Sequence, residues 1–435
     1  MAPPTGRPGP SRRNVLSWAA LGAAGVAGSG LLSGCSSSGA TQITFLENKP
    51  EVIPYFNKLV SQFNKSHPKI HATQNSSTTP LTPQFVRGDP PDLACYNFQL
   101  EAANFLARGA LSNLADLPQA KKIKPAMQDL VSQFATWKGE TCALPYSVAA
   151  AGVIYRPDLF SKYDVAIPTT WTELLAACAK FKAAGVTPIY YTDMDLWTLQ
   201  QGIFDYCVGG SINVAEFFKN LTAAGGNVNK NSPVSFTKNF ADACSKMLQL
   251  YKFRNSNAPS LGYNIGNSQF FNGKGAAMYF QGPWALLPLS QANPKVALKT
   301  FALPLTDNPN DRKVRANLDL ALWIPNASSH QEEARTMLQW LMQPEIINAY
   351  NKSALATAPT LDAPIQNDPR VVGISQYVAD GKIYQGATTF ISSSIAFGNW
   401  IQAMLLDGRD TSSNINSFLN KLDTAWANRA QRSAG

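Results

Sequence analysis

Histidine is almost missing from this chain: 435 residues hold only His67, His71 and His330. Metal centres and acid–base enzymes draw heavily on imidazole, so the shortage narrows both classes. His67 and His71 stand four apart, but Pro68 between them breaks the helical spacing that would bring them together. The chain contains no His-Glu-x-x-His, no Cys-x-x-Cys and no Gly-x-Ser-x-Gly. The stretch from Gly266 to Gly273-Lys274 has the wrong spacing for a phosphate loop, and Gly275 stands where Ser or Thr is needed. No catalytic residue, metal or cofactor is expected. Charge is also sparse, at 15% of residues, and the net +9 is not concentrated. Lys121-Lys122-x-Lys124 is the only basic block. A nucleic-acid binder would gather its charge in a patch or stripe. Beyond the amino terminus there is no second long apolar run, which leaves the remainder reading as a soluble, globular chain.

The amino terminus is the most informative passage. Ser11-Arg12-Arg13-Asn14-Val15-Leu16 has a twin-arginine pattern, followed by an Ala/Gly-rich apolar run to about Leu32. Leu32-Ser33-Gly34-Cys35 then resembles a bacterial lipobox, in which small residues precede a cysteine that becomes the lipidated first residue. The run is too weakly hydrophobic for a membrane span, and nothing basic follows it. Residues 1–34 are therefore expected to be a twin-arginine-type lipoprotein signal. Cys35 is the expected lipidation site, and residues 35–40 a tether carrying Ser36-Ser37-Ser38-Gly39-Ala40. Removing the signal takes away three arginines and no acid, leaving +6 (9 − 3). The expected location is the outer side of the cytoplasmic membrane.

About 400 residues remain to fold, more than one hydrophobic core usually supports. Two lobes are the default. With Cys35 lipidated, five cysteines are left: Cys95, Cys142, Cys178, Cys207 and Cys244. An odd number cannot all pair; one or two bridges, or small buried hydrophobes, both fit the count.

Strand and helix signals alternate. Ile43–Leu46 reads as a strand. Tyr55, Phe56, Leu59, Val60 and Phe63 recur at helical spacing up to Pro68. Ile70–Thr73 and Pro91–Tyr96 read as further strands, with a helix over about 101–108. Val148–Tyr155 reads as one apolar strand crossing between lobes. Thr170-Trp171-Thr172-Glu173 and Ser329-His330-Gln331-Glu332 both fit a capping box, the second opening a helix that runs to Pro344. This alternation predicts an α/β fold.

Specific stretches then look familiar. Gly273-Lys274-Gly275-Ala276-Ala277-Met278-Tyr279-Phe280-Gln281-Gly282-Pro283-Trp284 resembles the signature of family 1 extracellular solute-binding proteins, the maltose-binding-protein-like group. Pro91-Asp92-Leu93, Leu144-Pro145-Tyr146, Tyr155–Phe160, Pro168–Leu174 and Pro344-Glu345 match in family order. The resemblance implies a two-lobe, periplasmic-binding-protein-like (type II) α/β fold with a hinge and an interlobe cleft. It places residues 41–148 plus 300–355 in lobe one, and 149–299 plus 356–435 in lobe two. It further implies a monomeric receptor that closes on a carbohydrate and presents it to the membrane subunits of an ABC importer.

A sugar offers an apolar C–H face and a hydroxyl rim, so aromatic planes beside acids and amides are the candidates. The motif position of Trp284 is similar to that of a ligand-stacking tryptophan in the maltose-binding relatives. Trp197 follows a strand end, with Asp193 and Asp195 beside it. Tyr96 and Glu101 follow the third strand, and Glu47 and Asn48 end the first. Tyr146 lies at the crossing, Asp319 is an acid in an apolar strand, and Trp400 is a further stacking candidate. Val148-Ala149-Ala150 lacks the acid that maltose-binding relatives carry there, which argues against maltose itself. The alternatives are a non-sugar solute, such as a glycerophosphodiester or peptide, and a secreted glycoside hydrolase, which would need a carboxylate pair about 5–10 Å apart.

Overall fold

The computed structural model describes residues 39–49, 52–77, 79–392 and 394–434. Among the described residues, ten strands form two sheets: β1 (Thr41–Leu46), β2 (Ile70–Asn75), β3 (Leu93–Tyr96), β4 (Leu144–Ala151), β5 (Val153–Tyr155), β6 (Thr187–Tyr190), β7 (Ala276–Tyr279), β8 (Lys299–Phe301), β9 (Val314–Trp323) and β10 (Ile383–Tyr384). The first sheet has the order β10-β9-β3-β1-β2, with β4 on the other side of β9; the second has the order β6-β7-β5-β8. β1 runs parallel to β2 and β3, whereas β9 runs antiparallel to β3 and β4.

The parallel part forms as the residue pattern predicts. Ile43 and Phe45 of β1 alternate into the core, and β-branched and aromatic residues suit a pleated, half-buried surface. The crossover helix Ile53–Ser66 buries Phe56, Leu59, Val60 and Phe63 along one stripe and stops at His67, before Pro68. Thr170 caps the helix Trp171–Ala183 in a complete capping box with Glu173.

Two sequence readings are corrected. The apolar run 148–155 is two strands rather than one: β4 ends with Ala151 opposite Arg315 of β9, and β5 begins with Val153 opposite Phe301 of β8. Gly152 between them is the first crossing from one sheet to the other. The second capping box does not form. Its helix is Gln331–Leu341, and the Ser329 side chain caps nothing. The neighbouring Ser328 hydroxyl takes over, accepting the His330 amide (3.1 Å) and donating to Asp92 (2.6 Å). Pro344 then opens the next helix, Pro344–Ser353.

Two cores result. One is built mainly on the first sheet, from Ile43 to Ala150 and from Val314 to Ala358, and extends beneath Phe270 and Leu286. The other fills the space between the second sheet and the helices of residues 196–251 and 397–422. All five described cysteines are buried free thiols. The chain recrosses between Phe301 and Val314, and again after β10.

These crossings are tied to one helix start. Asp205, at the head of the helix Asp205–Ser211, accepts from Arg315 Nε of β9 at 2.8 Å and from the Thr388 amide at 2.8 Å. Both charged side chains are 0% exposed. The next residue, Tyr206, donates its hydroxyl to the Gly152 carbonyl at 2.9 Å. Removing one partner of a fully buried ion pair strands the other charge, at a cost of about 3–5 kcal/mol. Asp205→Leu should therefore lower the denaturation midpoint strongly, and the double variant Asp205→Leu/Arg315→Met should recover much of that loss. Equal midpoints for the single variant and the parent would show that the pair holds nothing.

Candidate functional site

A cavity of about 760 Å³ opens between the two sheets, within the size range of small-molecule pockets. The first sheet contributes Lys49, just past β1, Asn97, just past β3, and Asn317 and Asp319 of β9, with Tyr55 and Tyr350 from flanking helices. Loops beyond the carboxyl ends of parallel strands are where open α/β sheets place ligands. The second side contributes Trp197, Tyr263, Trp284 and Leu287. Ala149, Arg370, Gln385 and Thr389 complete the lining near the crossings.

The polar wall centres on Asp319. Lys49 Nζ donates to both carboxylate oxygens at 2.7 Å, and Asn97 Nδ2 donates to the Asp319 carbonyl at 2.5 Å. The Lys49 and Asp319 side chains are 19% and 12% exposed, so the pair is shielded but reachable. Arg370 is likewise occupied, chelating Asp368 through two bonds of 2.9 Å. Among the described residues, Asp319 is the only carboxylate lining the cavity. Nor, among them, do three His, Cys, Asp or Glu side chains gather as metal ligands would.

The other wall is aromatic. Trp197 meets Tyr263 edge-on, with centroids 4.8 Å apart, and the Tyr263 hydroxyl donates to the Trp284 carbonyl at 3.4 Å. Trp284 sits at the start of the helix Pro283–Ala292 and donates its indole N–H to Gln281 Oε1 at 3.2 Å. Its ring folds back over Gly282, where a Cβ would lie 2.1 Å from it, so the glycine of this motif is sterically required. Behind the ring, Arg315 Cζ lies 5.7 Å from its centroid.

Of the residues singled out in the sequence, Trp284, Trp197 and Asp319 line this cavity. The others do not. Asp195 stands behind the wall, accepting the Tyr263 amide at 2.6 Å. Glu47 is fully buried and folded onto the Lys49 amide (2.8 Å), while Asn48 donates to the Ser77 carbonyl (2.8 Å). Glu101 accepts from the Leu81 amide, and burial, with the Glu101 charge adding to it, raises the Tyr96 hydroxyl against the opposing pull of Asn48. Tyr146 lies one layer deeper, its ring 5.4 Å from that of Tyr350. Trp400 packs on the second core. Cys35, with the twin-arginine and lipobox stretches, lies outside the described residues. Lys49, Asn97, Tyr263 and Tyr350 were not anticipated. Lys49 and Asn97 each stand one residue beyond a strand-end candidate, Asn48 and Tyr96 respectively. Tyr263 carries no local signal.

The geometry can be set beside known proteins. The model of the family "Bacterial extracellular solute-binding protein" matches residues 48–348. The chain belongs to that family. Among relatives, it is 26% identical over 349 residues to the multiple sugar-binding protein of Streptococcus mutans, covering 76% of this chain and 80% of the relative. Among solved structures, RafE of Streptococcus pneumoniae superposes in its apo form with a TM-score of 0.74 at 19% identity, covering 89% of this chain and 99% of RafE. RafE in complex with raffinose gives 0.73 at 19% identity, covering 88% and 100%. The fold is thus the type II periplasmic-binding-protein fold of this family, an α/β architecture of two sheets.

Asp193 shows what a buried acid costs this fold. It is 0% exposed, accepts the Tyr251 hydroxyl at 2.5 Å and carries Gln402 on its carbonyl at 2.9 Å. Burial raises its carboxyl to about 6, against the opposing pull of the Tyr251 hydroxyl and Arg254. The folded value lies above the unfolded one, so its stabilising contribution is fully present below about pH 4 and is lost as pH rises through 6. The difference corresponds to about 3 kcal/mol. Asp193→Asn should therefore melt at a higher temperature than the parent at pH 7, with the gap closing by pH 4. Melting curves at the two pH values measure this, and a gap that does not change with pH would contradict it.

Proposed function

We propose that this protein is an extracytoplasmic carbohydrate receptor that closes over its ligand and delivers it to the membrane subunits of an ABC importer. On this reading it acts without chemical change to the ligand and as a monomer, tethered outside the membrane by lipid on Cys35. The observation that carries the reading is the pairing within one cavity of an aromatic wall, Trp197, Tyr263 and Trp284, with a hydrogen-bonding wall, Lys49, Asn97 and Asp319. A pyranose needs both: planes for its C–H faces and donors and acceptors for its hydroxyls. The sugar-binding relative and the raffinose complex of RafE support the same ligand class, and the family description supports an extracytoplasmic location. Among the described residues no helix is long and apolar enough to cross a membrane.

The competing readings have less support. Glycoside hydrolysis uses two carboxylates across the scissile bond, whereas Asp319 is the one carboxylate of the described lining and is held in an ion pair. A phosphodiester would be met by uncompensated cations, whereas Lys49 and Arg370 both already hold carboxylates.

Titrating residues 36–435 with mono- and oligosaccharides, with glycerophosphodiesters and peptides as controls, should give a saturable tryptophan fluorescence change with one sugar class and no product. Trp284→Ala should weaken that binding by about 2 kcal/mol, roughly thirtyfold. A response confined to the controls would sink the sugar assignment, and cleavage of the sugar would sink the receptor reading. In cells, Cys35→Ser should shift the protein from the membrane to the soluble fraction; unchanged membrane association would exclude the lipid tether.

A further inference from the structure

Gln281 lies 2% exposed behind the aromatic wall, and both ends of its side-chain amide are used. Oε1 accepts the Trp284 indole N–H at 3.2 Å, and Nε2 donates to the Thr198 carbonyl, the residue after Trp197, at 2.9 Å. One planar group thus links the Trp284 ring to the main chain beside Trp197, far away in sequence. Its main-chain carbonyl accepts the Tyr206 hydroxyl at 3.2 Å, the same hydroxyl that reaches Gly152 at the first crossing.

The chain around Thr198 is shaped for this contact. The helix Leu196–Leu199 is broken from Asp205–Ser211 at Gly202, whose ψ of −115° leaves the helical region. A Cβ on Gly202 would stand 2.6 Å from the Phe280 carbonyl and 3.0 Å from Gln281 Nε2. The kink therefore seats the Trp197 segment directly against Gln281, and glycine is the residue that permits the approach.

We propose that Gln281 is a positioning residue for ligand selection: its amide fixes the placement of Trp284 relative to Trp197 from behind the wall, and so sets which sugar lengths the wall accepts. This rests on the carbohydrate reading above. A hydrogen bond satisfied at both ends in a buried site orients its partners, and a substituted amide would leave the Trp284 N–H or the Thr198 carbonyl unpaired.

Two variants separate the arms. Gln281→Glu keeps an acceptor for Trp284 but loses the donor to Thr198; Gln281→Leu loses both. Indole ¹⁵N–¹H spectra of the ligand-free protein, assigned through Trp284→Phe and Trp197→Phe, read the coupling without any ligand. The Trp284 indole N–H resonance should stay in the downfield, hydrogen-bonded range in Gln281→Glu and move upfield in Gln281→Leu, while the Trp197 resonance should move in both. Raffinose affinity should fall about tenfold in Gln281→Leu, with galactose affinity changing less than twofold, since on this proposal only the longer ligand would reach both rings. Unmoved indole resonances would overturn the positioning role, and would do so even if the parent binds no sugar. Moved resonances with equal losses for both sugars would overturn the role in selection, whereas a parent that binds neither would count against the carbohydrate reading instead.

Discussion

The buried pair between Asp205 and Arg315 is the constraint around which the two halves of this molecule are arranged. Arg315 belongs to β9 of the first sheet, and Asp205 opens a helix packed in the second core. At 0% exposure, neither charge could remain without the other, since each alone would face a desolvation penalty of several kcal/mol. An apolar pair of the same volume would fill the same space; the ion pair adds directed bonds. Nε of Arg315 and the Thr388 amide take different oxygens of one carboxylate, so strand, helix and returning chain are registered to a single group. The guanidinium then lies under Trp284, and the same helix start carries Tyr206, which reaches both Gly152 and Gln281. Crossing geometry and cavity wall are therefore positioned by one cluster.

How far the sequence foretold this differs from element to element. Periodicity and punctuation located the parallel strands and their helices, because alternation and Pro/Gly stops act locally and survive into the fold. The ordered family motifs carried the architecture, and Trp284 with it. Where residue patterns misled, a tertiary partner had intervened. The Val148–Tyr155 run is uniformly apolar, so nothing in its pattern marks where β4 leaves one sheet and β5 joins another; the pairing of Ala151 with Arg315 and of Val153 with Phe301 decides it. Ser329 caps nothing because Ser328, held by Asp92 of a distant loop, accepts the His330 amide in its place. The polar candidates beside the strand ends fell short of the cavity by a residue or two: strict alternation would put Glu47 and Lys49 on one face, but past β1 the Glu47 carboxylate folds back onto the Lys49 amide and is buried, while the Lys49 side chain reaches the lining. Tyr263 is joined to Trp197 only through folding, and no spacing along the chain could have announced it.

Two aspartates show how environment rather than residue type divides labour here. Asp193 is buried with a tyrosine hydroxyl as its side-chain donor, and the burial pushes its proton affinity upward; it shapes the segment that carries Trp197 and never meets the cavity. Asp319 keeps 12% of its side chain accessible and is neutralised at once by Lys49. On the reading of a sugar receptor, that neutrality is a filter. An anionic ligand could approach Lys49 only against the charge of Asp319, and a cationic one could reach Asp319 only by displacing an ammonium bonded to both its oxygens at 2.7 Å. A hydroxyl displaces nothing: it donates to a remaining carboxylate lone pair or accepts a remaining ammonium proton, each a charge-assisted bond stronger than a neutral one. On that reading the pair favours neutral, hydroxyl-rich solutes, and selection among them by the shape and reach of their apolar faces falls to the aromatic wall.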